Sequence, residues 1–203
     1  MRTDGPKEPR RLVLASASPA RPRLLRAAGL EATAVPSGVD EGEVVVTDAR
    51  TTALTLAERK AGAVAARIDD GLVIGCDSLL DLDGAALGKP ASTDVAAERW
   101  RSMRGRNGVL VTGHCVIDAA SGVLVSGVAA TTVRFGCPTD AEIDAYVATE
   151  EPLAVAGAFT LDGRSAPFID GIDGDPGTVI GLSLPLLRAL LGRLGVEVTD
   201  LWR

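Results

Sequence analysis

Lysine is used three times in this chain, at positions 7, 60 and 89, against eighteen arginines. A sequence that so prefers guanidinium, yet keeps ammonium at two interior positions, points to a need there for a compact point charge. Lys60 closes "LAERK" on an otherwise apolar helical stretch. Lys89 lies between Gly88 and Pro90 in "LGKP", just past an expected hairpin. A solvated role stays equally open for Lys60, whereas Lys89 reads as a placed loop residue.

A second group of positive charge sits in "SASPARPRLL", residues 16–25. Ser16, Ser18 and Pro19 fall in a turn between an apolar strand and a helix. Unpaired backbone N–H groups and the helix dipole favour an anion at such a place. Arg21 lies in the first helical turn, where the same dipole disfavours a cation unless an anion is near. One reading is a phosphate site; the other has Ser18 capping the helix and the arginines in water.

Acidic and nucleophilic chemistry is narrowed by what is scarce. Asp77 follows the apolar "LVIGC" and is expected at that strand's exit, where ligands of open α/β sheets collect. With no histidine beside it, such a carboxylate suits magnesium or manganese, or acts as a base. Glu41, in "SGVDEGE", carries less weight alone because acidic loops are common. His114 is the only histidine and falls inside the strand-like "LVTGHCVID", so a structural role is expected. Zinc sites use clusters of His and Cys. Cys76, Cys115 and Cys137 form no C-x-x-C pair, so neither a disulfide framework nor a zinc site is indicated.

These residues need a scaffold, and the hydrophobic pattern supplies one. A strand is expected at 11–15 and a helix at 19–28 ending at Gly29, then a helix at 51–67. "GLVIGCDSLLDLDGAALGKP" reads as a strand and a hairpin around Asp83-Gly84. A helix at 93–104 precedes two long strands joined by "AASG". Thr139 and Glu142 form a capping-box pattern opening a further helix. Glycine-rich loops at 157–181 lead to the amphipathic "SLPLLRALLGRL". The whole predicts an α/β protein with a mixed sheet. Residues 1–10 read as a disordered lead-in and 11–203 as one domain.

Composition excludes several functions. The formal net charge of −6 argues against a nucleic-acid or membrane-surface binder, which needs an extended basic face. No apolar run approaches the ~20 residues that span a bilayer, and the N-terminus lacks a signal peptide's apolar core. A cytoplasmic protein is expected. With 46% hydrophobic but only 3% aromatic residues, Ala, Val and Leu are expected to do the packing.

Taken in order, "LASASPARPRLL", "VDE", "LAERKA", "VIGCDSLLDLDGAALGKP", "EIDAYVATEEPLAVAGAF" and "GTVIGLSLPLL" resemble the Maf family of nucleoside triphosphate pyrophosphatases over residues 12–195. The resemblance implies an elongated mixed sheet flanked by helices with a central cleft, similar to inosine triphosphate pyrophosphatases. It implies hydrolysis of a nucleoside triphosphate to monophosphate and pyrophosphate with a divalent cation (Mg or Mn), and it is compatible with a homodimer. The family's functional positions fall on Ser16, Arg21, Glu41, Lys60, Asp77 and Lys89. Asp77 takes the proton-acceptor position, and Glu41 and Asp77 would hold the metal.

Three positions depart from the common pattern: Ala20 replaces a basic residue, Ser78 a threonine and Asp162 a glutamine. In the branch resembling dTTP/UTP pyrophosphatases these positions tune base choice. Asp162 and Phe159 lean toward the branch acting on methylated GTP, whose typical tryptophan is here Ala20. The implied substrate side therefore includes Ser78 and Asp162, with the base open. The rival expectation is a nucleotide-binding regulator of septum formation with little turnover. A plain mononucleotide-binding fold lacks support, because neither G-x-x-x-x-G-K-[ST] nor G-x-G-x-x-G occurs.

Overall fold

Three strands of eleven or twelve residues form the spine of the molecule. The computed structural model describes residues 10–41 and 48–203. Those strands are β3 (Leu72–Leu82), β5 (Asn107–Asp118) and β6 (Leu124–Phe135), paired antiparallel in that order. On one side β1 (Leu12–Leu14) joins β3 in parallel and carries the edge strand β2 (Ala32–Ala34), also parallel. On the other, β7 (Ile169–Asp173) pairs antiparallel with β6. The described residues thus form a seven-stranded mixed sheet of order β2-β1-β3-β5-β6-β7, with β4 (Ala85–Leu87) folded back on the far end of β3. The mixed α/β architecture expected from the sequence is what the chain adopts.

Strand β3 outruns its neighbour. β1 pairs with it only as far as Ile74, and β4 begins at Leu80. Among the described residues, positions 75–79 therefore have a strand partner on the β5 side alone. Asp77 lies in this open stretch, in mid-strand, where a strand exit had been expected. The physical reason is that the apolar run resumes at Leu79-Leu80 and the Asp83-Gly84 turn, at φ +53° and +85°, extends the strand into a hairpin.

The sheet is covered on both faces. Helix α2 (Ala49–Ala65) is capped by Asp48, whose side chain accepts from the Thr51 amide at 2.9 Å. Its buried stripe includes Ala53, Ala57 and Ala61, small residues that let it lie close on β3 and β5. The approach is so tight that a Cβ on Gly75 would meet the Ala57 carbonyl, and one on Gly113 the Ala53 carbonyl.

The opposite face carries two cores end to end. One gathers Leu14, Ile74, Cys76 and Val116 under α1 (Ala20–Ala27) and α6 (Leu184–Arg193). The other gathers Leu80, Leu110 and Phe135 under α3 (Thr93–Met103) and α4 (Asp140–Val147). Five of the six aromatic residues lie in or against this second core, Trp100 meeting Phe135, Tyr146 and Phe168 edge-on. Aliphatic packing holds only for the first core and the α2 face. The sixth aromatic, Trp202, is 56% exposed and lies over Gly29. The capping box of α4 is present as expected, Thr139 and Glu142 bonding reciprocally.

Between the two cores runs a seam of buried polar side chains, and α5 (Pro176–Ile180) with its flanks is clamped along it. Thr131 donates to the Asp175 carbonyl at 2.9 Å and Thr112 to the Thr178 carbonyl at 2.8 Å. His114 Nε2 accepts from the Ser183 amide at 2.8 Å, which makes Nδ1 the protonated nitrogen, bonded to the Thr112 carbonyl at 3.0 Å. The lone histidine is structural, as expected.

Of the expected lead-in, residues 1–9 lie outside the described residues. Arg10 does not belong to it: its guanidinium holds Asp118 through two bonds of 3.1 and 2.7 Å. Among the described residues no helix is long and apolar enough to cross a membrane.

Burial lowers the His114 pKa from 6.5 to about 4. The folded state thus rejects a proton that the unfolded chain accepts, so this contribution is complete above pH 6.5 and fades as pH falls toward 4. By pH 5 about 2 kcal/mol should be lost. Urea titrations at pH 7 and pH 5 should show that loss in the wild type and a clearly smaller one in His114→Asn; an equal loss in both proteins would refute the assignment.

Candidate active site

The open edge of β3 presents two neighbouring side chains to opposite faces, and each is met by a cation. Asp77 points to the α2 side. Lys60 belongs to the same inward stripe of α2 as Ala53, Ala57 and Val64, so its ammonium is carried under the helix rather than into water. It donates to Asp77 Oδ1 at 2.5 Å and to Glu41 Oε1 at 2.6 Å. The Lys60 and Asp77 side chains are only 9% and 10% exposed, while that of Glu41 is 50% exposed. Among the described residues one N–H of Lys60 remains for a further acceptor.

Ser78 points the other way, toward α1. Arg21 and Leu25 are the two buried residues of that helix, one turn apart, so the guanidinium turns inward. Nε donates to the Gly181 carbonyl at 2.8 Å, Nη1 to Ser16 Oγ at 2.9 Å and Nη2 to Ser78 Oγ at 3.4 Å. Among the described residues three of its five N–H donors are thereby engaged and two are left. Gly181 has φ +122°, and a Cβ there would press on Arg21 Nε, so this contact requires glycine. Ser18 does not cap α1; its amide instead donates to Ser16 Oγ at 3.1 Å. Ser16 Oγ accepts twice, which frees its own proton to donate outward.

Charge ties the two groups together. Burial pushes the Glu41 carboxyl up, but the Lys60 hydrogen bond and charge, with the charges of Lys89 and Arg21, hold it below its ordinary value. For Asp77 burial wins: desolvation raises its pKa despite Lys60 and Arg21, and Glu41 adds to the rise. Lys89, just beyond the β3–β4 hairpin, is exposed and makes no hydrogen bond or ion pair among the described residues. Its ammonium is nonetheless close enough to act on Glu41.

Of the residues expected from sequence, Ser16, Arg21 and Ser78 therefore meet on one side, and Glu41, Lys60 and Asp77 on the other. Lys89 adds its charge beside Glu41. Asp162 stands apart from these contacts, paired at the surface with Arg23 at 3.3 Å. Sequence reasoning missed Thr112, Thr178 and Gly181, which hold Arg21 directly or through Ser78. The available signal was a hydroxyl and a histidine inside the otherwise apolar "LVTGHCVID".

Among the described residues no group of three or more His, Cys, Asp or Glu side chains could hold a metal. The carboxylates brought together here are the pair Glu41 and Asp77, both bonded to Lys60. Two carboxylates do not make an all-protein cage, but they suit a hard cation that keeps waters and takes phosphate oxygens as its other ligands.

Comparison with known proteins follows the same residues. The model of the Maf-like protein family matches residues 11–194. A nucleoside triphosphate pyrophosphatase of Streptomyces coelicolor is 65% identical over 97% of this chain and 97% of its own length. One of Streptomyces avermitilis is 61% identical over 98% and 97%. Among solved structures, the Staphylococcus aureus Ham1 protein overlaps 62% of this chain and 72% of its own, with a TM-score of 0.44 at 16% identity.

Removing Lys60 leaves Asp77 buried without its cation. Lys60→Met should cost about 3 kcal/mol at pH 7 in a denaturant titration, as for other broken buried pairs. The unpaired Asp77 then has a still higher folded pKa, so the folded variant takes up a proton the unfolded chain releases. Its deficit relative to the wild type should narrow from pH 7 to pH 5. A deficit independent of pH would show that Asp77 does not depend on Lys60.

Proposed function

The chain belongs to the Maf-like family, and from that footing we propose that it hydrolyses a nucleoside triphosphate between the α- and β-phosphates at the Arg21–Lys60–Asp77 cluster. It is a nucleoside triphosphate pyrophosphatase, an acid-anhydride hydrolase, and its products are a nucleoside monophosphate and pyrophosphate. Relatives named for turnover over nearly their whole length favour hydrolysis over a regulator of septum formation that only binds nucleotide.

The observation that carries this reading is Lys60 shared between Glu41 and Asp77, with Arg21 acting on both acids and Lys89 on Glu41. A triphosphate tail needs several cations within a few ångströms. Arg21 has two N–H donors to spare, and the Ser16 hydroxyl, which accepts from Arg21, keeps its own proton to donate. Lys89 is exposed and adds its charge beside Glu41. Such groups speed the reaction to the extent that they hold transition-state charge better than ground-state charge.

Asp77 is the base in this scheme. An ordinary aspartate is a weak acceptor near neutrality, and the burial that raises its pKa moves it toward a useful value. It takes a proton from the water that attacks the α-phosphorus as the bond to the leaving pyrophosphate breaks. Glu41 and Asp77 would hold the divalent cation, magnesium or manganese, which supplies charge neutralisation and a more acidic water when bound. Ser78 belongs to the substrate side through Arg21, and the Arg23–Asp162 pair to its rim. A nucleotide substrate and three free cysteines, two of them buried, suit the cytoplasm.

Asp77→Asn should keep the fold, since an amide can still accept from Lys60. It should lower turnover by about 10²–10⁴, the loss typical of a general base. Pyrophosphate release from a triphosphate, with magnesium or manganese present, measures it. Near-normal release by the folded variant would remove Asp77 from the mechanism.

A further inference from the structure

The hydroxyl of Thr112 is fully buried and is bonded on both sides. It lies 2.8 Å from Ser78 Oγ and 2.8 Å from the Thr178 carbonyl oxygen. A carbonyl can only accept, so the single Thr112 proton is committed to Thr178. Ser78 must then donate its own proton to Thr112, and its lone pairs are left facing Arg21 Nη2 at 3.4 Å. The direction of every bond in the chain Arg21, Ser78, Thr112, Thr178 is thereby fixed.

The far end of this chain and the direct contact of Arg21 reach the same element. Thr178 lies in α5 and Gly181 is its C-cap residue, so two carbonyls at the end of α5 hold the guanidinium, one directly and one through two hydroxyls. The segment is itself pinned to the sheet by Thr131 and His114. Without Thr112, Ser78 would be free to turn its proton toward Arg21, where a donor would face a donor.

We propose that Thr112 is a positioning residue for substrate: by orienting Ser78 it aims the two uncommitted N–H groups of Arg21 at the triphosphate. This rests on Arg21 being a triphosphate ligand. A loss of aim weakens binding of the tail, whereas a merely structural role lowers the fraction of active protein. The two are separable, because the first raises KM and the second lowers apparent kcat.

The test is steady-state pyrophosphate release from a nucleoside triphosphate. Thr112→Val should raise KM about tenfold, the effect of losing one effective hydrogen bond, with kcat changed by less than about threefold. Thr112→Ser, which restores the hydroxyl, should recover most of that loss. Ser78→Ala breaks the same chain from its more exposed end and should give a similar KM, with no further rise when combined with Thr112→Val. Should Thr112→Val fail to fold, Ser78→Ala decides alone. An unchanged KM in both variants, or a Thr112→Ser as impaired as the valine, overturns the proposal. Arg21→Met separates the two readings: a raised KM there with none in the others sinks the hydroxyl chain only, and an unchanged KM there sinks Arg21 as ligand and the chain with it.

Discussion

A cation taken out of water must be met by opposite charge, and Lys60 is met twice. Its position in the buried stripe of α2 leaves its side chain only 9% exposed, and Asp77 and Glu41 meet it there. The rest of the local architecture follows from that demand. Asp77 can reach Lys60 because it stands on the α2 side of β3, where β1 has ended and β4 has not begun. α2 can lie low enough because Gly75 and Gly113 offer no side chain beneath it. Three features with no chemistry of their own, a short strand and two glycines, therefore set where the carboxylate and the ammonium meet.

The second half of the site obeys a different rule. Arg21 is also buried, yet among the described residues no carboxylate is bonded to it; neutral oxygens from Ser16, Ser78 and Gly181 accept its protons. Its charge is thus solvated by dipoles but not cancelled. An anion arriving there meets a cation already stripped of water and already oriented, which is the arrangement that costs least on binding. Lys60, by contrast, has its charge largely spoken for by Glu41 and Asp77. The two cations differ in kind: one is prepared to bind, the other maintains a buried acid.

Much of this was legible in the sequence. The scarcity of lysine singled out Lys60 and Lys89, and the turn before α1 singled out Ser16 and Arg21. The sequence left a solvated role equally open for Lys60, which α2 in fact carries inward. What escaped is what depends on strand length and register. Asp77 was expected at a strand exit because nothing in "GCDS" announces that the strand continues for five more residues. Thr112 comes opposite Ser78 only through the β3–β5 register, and α5 comes onto both through a fold of the chain more than sixty residues away. Local pattern gives residue types and periodicity; it does not give which hydroxyl faces which.

The sorting of aromatic residues has an optical consequence. Trp100 sits in the second core with its indole N–H on the Ala158 carbonyl at 2.8 Å, while Trp202 lies more than half exposed against Gly29 beside the other core. The chain thus carries two tryptophan fluorophores, one shielded from a dissolved quencher such as iodide and one open to it. Blue-shifted, quencher-resistant emission reports the α3–α4 end of the sheet; red-shifted, quenchable emission reports the α1–α6 end. Loosening of either end can be followed separately, without a label.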